Sequence, residues 1–428
     1  MEVILEVKLM EHQIEAIELT KDHNRVAYYY DMGLGKTFIG SEKMKQLDEQ
    51  INLVICQKSL ISTWTEHFKT YYKVWVYDLT NKKELEFFKH HLEYKPPFPL
   101  VGIINYDLIF RRKFFLQLEN YTLMLDESSM IKNEKAKRTK FILKMKPKNV
   151  ILLSGTPCSG KYEELYSQCK LLGWNISKKA FWDNYIITKN MEVNGFKIPI
   201  VIGYKNVDRL KVKLRQYGAV FKKTEEVLTL PEQLDNIVNI KSTKEYKKFK
   251  KDRLVTINNQ ELVGDTTLTN MLYQRQLAAM YNPNKYEILG ELLESTEDRV
   301  LIFYNFTGEM EEIKKLCKKL NKPISVVNGK VKDLKNYETK DNSVTLLQYQ
   351  AGAMGLNLQL SNKIIYFSLP LSSELFEQSK KRTHRLGQKK TCMYYYLITE
   401  GTIEKKIFDI LGTRRDFTNK LFEELEED

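Results

Sequence analysis

At 428 residues the chain is too long for one ordinary hydrophobic core, and its length predicts two to three domains. Hydrophobic residues make up 43%, with 20 Phe and 25 Tyr, so the composition is that of a folding globular protein; the five cysteines form no C-x-x-C pair or Cys/His cluster, which suggests neither a zinc site nor a disulfide framework and fits a reducing compartment. A formal charge of +13, with Lys spread along the whole length, favours a polyanionic partner, nucleic acid first, although a Lys-rich proteome would leave the same imprint.

The opening MEVILEVKLMEHQ has acidic residues among its apolar ones and no small-residue cleavage site. No apolar run approaches the roughly 18 residues of a membrane span, so the expectation is a soluble, cytoplasmic protein with no membrane partner. Short apolar runs then recur as buried parallel strands would: RVAYYY (25–30), INLVIC (51–56), PLVGIINY (99–106), YTLMLD (121–126) and KNVILLSG (148–155). Charged, helix-length stretches separate them, the pattern of an α/β lobe over residues 1–230. From about 161 to 230 the pattern lapses and a helical excursion is expected. LPEQLDN (230–236) reads as the crossing into a second lobe, 231–428, which opens with a Lys-rich helical segment at about 240–295. Strands resume with RVLIFYN (299–305), PISVVNG (323–329), SVTLLQY (343–349), NKIIYFS (362–368) and CMYYYLIT (392–399).

Two stretches carry the chemistry. After RVAYYY comes DMGLGKT, where Gly33 and Gly35 let successive N–H groups face phosphate oxygens at a helix start, Lys36 would reach the β- and γ-phosphates and Thr37 would hold magnesium. The full G-x-x-x-x-G-K-[ST] pattern would place Gly at Tyr30. About 90 residues on, a strand ends in Asp126 and Glu127; one carboxylate can orient magnesium and its neighbour can position and deprotonate the attacking water. An acidic strand end alone would say little, but two such strand ends in one sheet are much more specific.

Taken in order, His12-Gln13, DMGLGKT, VICQKSLISTWTEHF (54–68), DESS…IKN and SGTP (154–157) resemble the first motor lobe of a superfamily 2 helicase-like ATPase of the Swi/Snf type. QAGAMGLNLQL and EQSKKRTHRLGQ (377–388) resemble segments of its second lobe, with Gln378, Arg382 and Arg385 at the Q and two R positions, spaced to share one helix face. The resemblance implies two RecA-like parallel-sheet motor lobes with ATP and Mg2+ between them. It implies adenine reading by Gln13, ATP contacts from Gly355 and Arg385, arginine stabilisation of the transition state by Arg382 and Arg385, and coupling of the nucleotide and nucleic-acid sites through Ser129, Ser154, Thr156 and Gln378. Lys58, Ser59, Asn105, Tyr106, Asn305 and Gln350 are the candidates for nucleic-acid contact. Ser129 stands where relatives carry a histidine, Tyr30 where an acidic residue is usual, and A-G-A where A-G-G is usual; the family's W-N-P is replaced by SLPLS (368–372).

The implied function is a monomeric ATPase stimulated by, and translocating on, double-stranded DNA, with a protein partner supplying target choice. A helicase acting on branched DNA or RNA is the same-chemistry alternative, and a scaffold that binds nucleic acid without hydrolysis is the alternative from another class.

Overall fold

A computed structural model of the chain describes residues 1–94, 96–193, 196–352 and 356–422. Met1–Val227 and Leu228–Asp416 make up the bodies of two compact units.

The strands of the first unit are β1 (Glu2–Val3), β2 (Arg25–Tyr30), β3 (Ile51–Cys56), β4 (Tyr72–Lys73), β5 (Trp75–Asp78) and β6 (Leu100–Asn105). They continue with β7 (Tyr121–Asp126), β8 (Asn149–Ser154), β9 (Ile186–Val193), β10 (Phe196–Tyr204) and β11 (Ala219–Lys222). Seven form one wholly parallel sheet in the order β11-β2-β8-β7-β3-β6-β5. The central strands are buried almost end to end, as strands covered on both faces must be, which is why they read as unbroken apolar runs. Ala27, Tyr29, Leu53, Ile55, Leu123, Leu125, Val150 and Leu152 supply one core face. Because every strand of this sheet runs the same way, the segments following β2, β3, β7 and β8 emerge at one edge. Those segments are DMGLGKT, QKS, ESS and GTP.

The second unit contains β12 (Gln233–Ile240), β13 (Leu254–Ile257), β14 (Gln260–Val263), β15 (Val300–Tyr304), β16 (Ile324–Val327), β17 (Lys332–Asp333), β18 (Val344–Gln348), β19 (Lys363–Tyr366) and β20 (Cys392–Thr399). Its sheet runs β12-β20-β19-β15-β18-β16-β17, parallel except for the last pair. The α/β class is therefore as expected.

Two stretches expected to be helical are mixed. Residues 161–230 hold helices at Tyr166–Leu171, Lys178–Tyr185 and Val207–Gln216, but also the antiparallel hairpin β9–β10 and the strand β11, which completes the first sheet. The runs flanking Asn194-Gly195 are rich in β-branched residues, a hairpin signal that the surrounding aromatic and basic residues obscured. Residues 240–295 likewise include the hairpin β13–β14, turned by Asn258 and Asn259 at φ 51° and 62°. The Pro-Glu-Gln-Leu-Asp-Asn stretch, expected as a crossing point, leads straight into β12; this edge strand is largely exposed, and its polarity hid it.

Candidate active site

The turn after β2 depends on two glycines in the left-handed region, Gly33 at φ 89° and Gly35 at φ 72°. The φ of Gly35 disfavours any side chain, and a Cβ there would also have to push the Gln13 amide aside. The helix Lys36–Leu47 starts directly behind it. Lys36 Nζ donates to the carbonyls of Tyr30 at 2.6 Å and Asp31 at 3.0 Å, which holds the ammonium at the mouth of the loop. Thr37, the next residue, is half-buried.

The helix Glu11–Leu19 closes over this loop. Gln13 Nε2 donates to Leu34 O at 3.2 Å, while Gln13 Oε1 accepts from Met10 N at 2.9 Å. His12 Nε2 lies 3.1 Å from the same Leu34 carbonyl. Tyr30, the departure from the acidic residue usual there, is buried and donates its hydroxyl to His12 O at 3.2 Å, tying this helix to the sheet.

Asp126 and Glu127 leave β7 in different ways. Asp126 Oδ2 accepts from Trp64 Nε1 at 2.7 Å; burial raises its pKa, while the Trp64 hydrogen bond and the nearby Lys36 charge oppose that rise. Glu127 adopts φ 59°, a left-handed conformation that costs a non-glycine residue on the order of 1–2 kcal/mol. The strained backbone turns its carboxylate toward β8, where Oε1 accepts from Ser154 Oγ at 2.7 Å and from Ser129 Oγ at 3.0 Å. Ser154 Oγ in turn accepts from Thr156 N at 3.1 Å. The serine in the histidine position therefore reaches the acid pair directly, and it shares one carboxylate oxygen with SGTP. Behind them, fully buried Gln168 joins three segments: its Oε1 accepts from Ser128 Oγ at 2.7 Å and Tyr29 OH at 3.0 Å, and its Nε2 donates to Pro157 O at 2.6 Å.

The first unit thus gathers Gln13, Gly33, Gly35, Lys36, Thr37, Asp126, Glu127, Ser129, Ser154 and Thr156 at one sheet edge. Trp64 and Gln168 escaped the sequence reading; Trp64 lies inside the quoted VICQKSLISTWTEHF, but nothing in its spacing announces a bond to a carboxylate 62 residues away.

Several expectations change. Lys58 and Ser59 are exposed beyond β3, but Tyr106 is buried and donates its hydroxyl to Asp126 O at 3.0 Å, so it supports the acid pair from within and presents no surface to nucleic acid. Asn105 is also buried. Asn305 Nδ2 is committed to Ser368 Oγ at 2.9 Å and Leu369 O at 3.0 Å, contacts made by the SLPLS stretch. Gln350 is exposed in the short helix Tyr349–Gly352 that follows β18, and Gly355 lies outside the described residues. The helix carrying Gln378 spans Ser373–Lys380 and ends before both arginines, so the three do not share a helix face. Past Lys380 the chain tightens into i→i−3 turns, Arg382 N to Ser379 O and Thr383 N to Lys380 O. Arg382 is only 3% exposed and donates to Leu356 O at 3.2 Å, whereas Arg385 is half-buried and donates to Asn357 Oδ1. Gln378 is buried.

A glycine loop with its lysine on one strand of a parallel sheet, and an acid pair bonded to the serine of a third segment, define an ATPase of the helicase-like P-loop class. The model of the SNF2-related domain matches residues 22–285, and that of the helicase conserved C-terminal domain matches residues 284–387. The chain belongs to the SNF2-related family and is an ATP-hydrolysing superfamily 2 enzyme. It is 24% identical over 89% of its length to the SWI/SNF-related matrix-associated actin-dependent regulator of chromatin subfamily A member 1 of Mus musculus. It is also 24% identical over 89% of its length to an ISWI chromatin-remodeling complex ATPase of Saccharomyces cerevisiae. An uncharacterized ATP-dependent helicase of Mycoplasma genitalium is 23% identical over 91%. The chain spans 40%, 37% and 39% of these relatives' own lengths. A solved Sulfolobus solfataricus SWI2/SNF2 ATPase core in complex with dsDNA aligns over 96% of this chain and 92% of its own, with 20% identity and a TM-score of 0.46. Among the described residues, no helix is long and apolar enough to cross a membrane.

Proposed function

We propose that the protein is a duplex-DNA-stimulated ATPase that translocates on double-stranded DNA without needing to separate its strands. The observation that carries this reading is the shared oxygen of Glu127, bonded at once to Ser129 and to Ser154. It links the hydrolytic carboxylate to a segment whose family role is coupling.

In this reading the loop amides and Lys36 hold the ATP phosphates, and Gln13 reads the adenine edge. Thr37 and Asp126 present hard oxygen donors, a hydroxyl and a carboxylate, which suit Mg2+ when phosphates and water complete its shell. When bound, Mg2+ supplies charge neutralisation at the β- and γ-phosphate oxygens. Glu127, fixed by two hydroxyls, orients the attacking water and accepts its proton. Arg385, with its guanidinium half-accessible, is a better candidate than buried Arg382 for stabilising the γ-phosphoryl transition state, a role worth about 10³–10⁵ in rate.

Lys58 and Ser59 contact phosphates, which gives sequence-independent binding. Two relatives have chromatin in their names, and this favours duplex DNA over RNA as the track.

ATP turnover is measured without nucleic acid and then with duplex DNA, single-stranded DNA or RNA. Duplex DNA should activate most strongly, and Lys36→Ala, Glu127→Gln and Arg385→Ala should each abolish stimulated turnover. Activation by RNA alone would remove the duplex track, and intact turnover in Glu127→Gln would remove the assigned base.

A further inference from the structure

Asp126 is held by two aromatic residues from the segments that follow neighbouring strands. Trp64 Nε1 donates to its carboxylate at 2.7 Å, and Tyr106 OH donates to its carbonyl at 3.0 Å. Tyr106 directly follows the end of β6; Trp64 lies in the first turns of the helix Ile61–Tyr71, which follows β3 through the short 3-10 turn Lys58–Leu60. We propose that Trp64 is a positioning residue through which nucleic-acid binding at Lys58 and Ser59 sets the orientation of the Asp126 carboxylate. This deepens the reading above and rests on its assignment of Lys58 and Ser59.

Three features support the link. First, Lys58 and Ser59 are exposed while Trp64 is 3% exposed, so one continuous stretch runs from solvent to the acid pair with no loop between. Second, the indole is clamped: its ring stacks on Phe68 at 5.7 Å with 25° between planes and meets the His67 ring edge-on at 5.7 Å. An indole N–H can only donate, so its direction restrains Oδ2 and biases the orientation of the carboxylate. Third, the same helix is joined to the phosphate-loop helix on its other side. His67 Nε2 lies 2.9 Å from Ser41 Oγ, and the His67 ring lies 4.9 Å from Phe38, next in sequence to Thr37. A displacement of this helix therefore reaches both halves of the nucleotide site, and a packed helix moves as a unit. A core tryptophan with a satisfied N–H is the plain alternative; what sets this one apart is that its acceptor is the carboxylate assigned to the metal.

The test uses the full chain with Trp64→Phe, which keeps an aromatic ring and removes the donor, and Phe68→Leu, which loosens the same packing and keeps it. Binding of ADP is measured by calorimetry with Mg2+ and with EDTA, alongside tryptophan emission on adding duplex DNA to the Mg·ADP-loaded protein. In Trp64→Phe, Mg·ADP affinity should fall roughly 10-fold with metal-free ADP affinity kept, as expected for losing a hydrogen bond to a charged group. The DNA-induced emission change of the parent should disappear in Trp64→Phe and in the double variant Lys58→Ala/Ser59→Ala. Phe68→Leu should lower the melting temperature and keep the Mg2+ dependence. Parental Mg2+ dependence in Trp64→Phe, or an equal loss in Phe68→Leu, would overturn the proposal and return Trp64 to a packing role. A parent that binds no duplex would instead sink the DNA reading, and the Mg·ADP comparison would still decide whether Trp64 positions Asp126.

Discussion

Glu127 and Gly35 both occupy backbone conformations that L side chains avoid, for opposite reasons. Gly35 does so because the phosphate loop turns there at φ 72°, and a Cβ would also displace the Gln13 amide. Gly35→Ala should therefore weaken ATP binding at least 10-fold and lower stability by about 1 kcal/mol or more, measured by nucleotide titration and thermal unfolding. Glu127 tolerates the strain because Ser129 and Ser154 secure its carboxylate and Tyr106 OH lies 3.4 Å from its carbonyl. Removing one of these bonds, in Ser129→Ala, should reduce DNA-stimulated turnover by about 10-fold or more, since a single hydrogen bond to a charged group contributes about 1.5–3 kcal/mol. Ser129→His tests the same contact from the other side: a histidine is larger and can carry charge, so it should change the ratio of DNA-stimulated to basal turnover. An unchanged ratio would make the position neutral.

The helix Ile61–Tyr71 packs on the helix Lys36–Leu47 through an aromatic cluster around His67. Burial pushes the His67 imidazole down to about 4, with the Glu42 charge opposing. Because the folded-state value is depressed, the unfolded chain takes up the proton first. The contribution is intact above pH 6.5 and is lost as pH falls from 6.5 toward 4, up to about 3 kcal/mol at the low end. Urea unfolding at pH 7.5 and pH 5 should show the loss, and His67→Phe should flatten it. The strands of this unit's centre were legible because both their faces are covered, so RVAYYY, INLVIC and YTLMLD match β2, β3 and β7 to the residue. The edge strand β12 was not, because its exposed face carries Gln233, Asp235 and Asn239 and breaks the apolar run. The helix expected to present Arg382 and Arg385 stops at Lys380, whose ammonium pairs with Asp235 and lies over the rings of Phe376, Tyr394 and Tyr396.

For the molecule as a whole, +13 charges make salt the simplest probe of the nucleic-acid reading. Duplex affinity should fall linearly in log–log form with salt, with a slope of roughly −0.9 per phosphate neutralised; Lys58→Ala should make it shallower by about one unit, by fluorescence anisotropy at several salt concentrations. The alternation of apolar runs with charged helix-length stretches carried the α/β class, and motif order carried the phosphate loop and the acid pair, because glycines, a lysine and carboxylates at strand ends are constrained locally and leave their mark in a short window. Contacts across strands left no such mark. That Ser154 joins Ser129 on one oxygen of Glu127, that Trp64 grips Asp126, and that Tyr106 and Arg382 turn inward depend on the tertiary packing of side chains 20 to 62 residues apart in the chain. Spacing along one segment carries no information about them: the parallel packing of β6, β3, β7 and β8 brings Tyr106, Trp64 and Ser154 to the acid pair, and Arg382 turns inward to Leu356 O within the second unit.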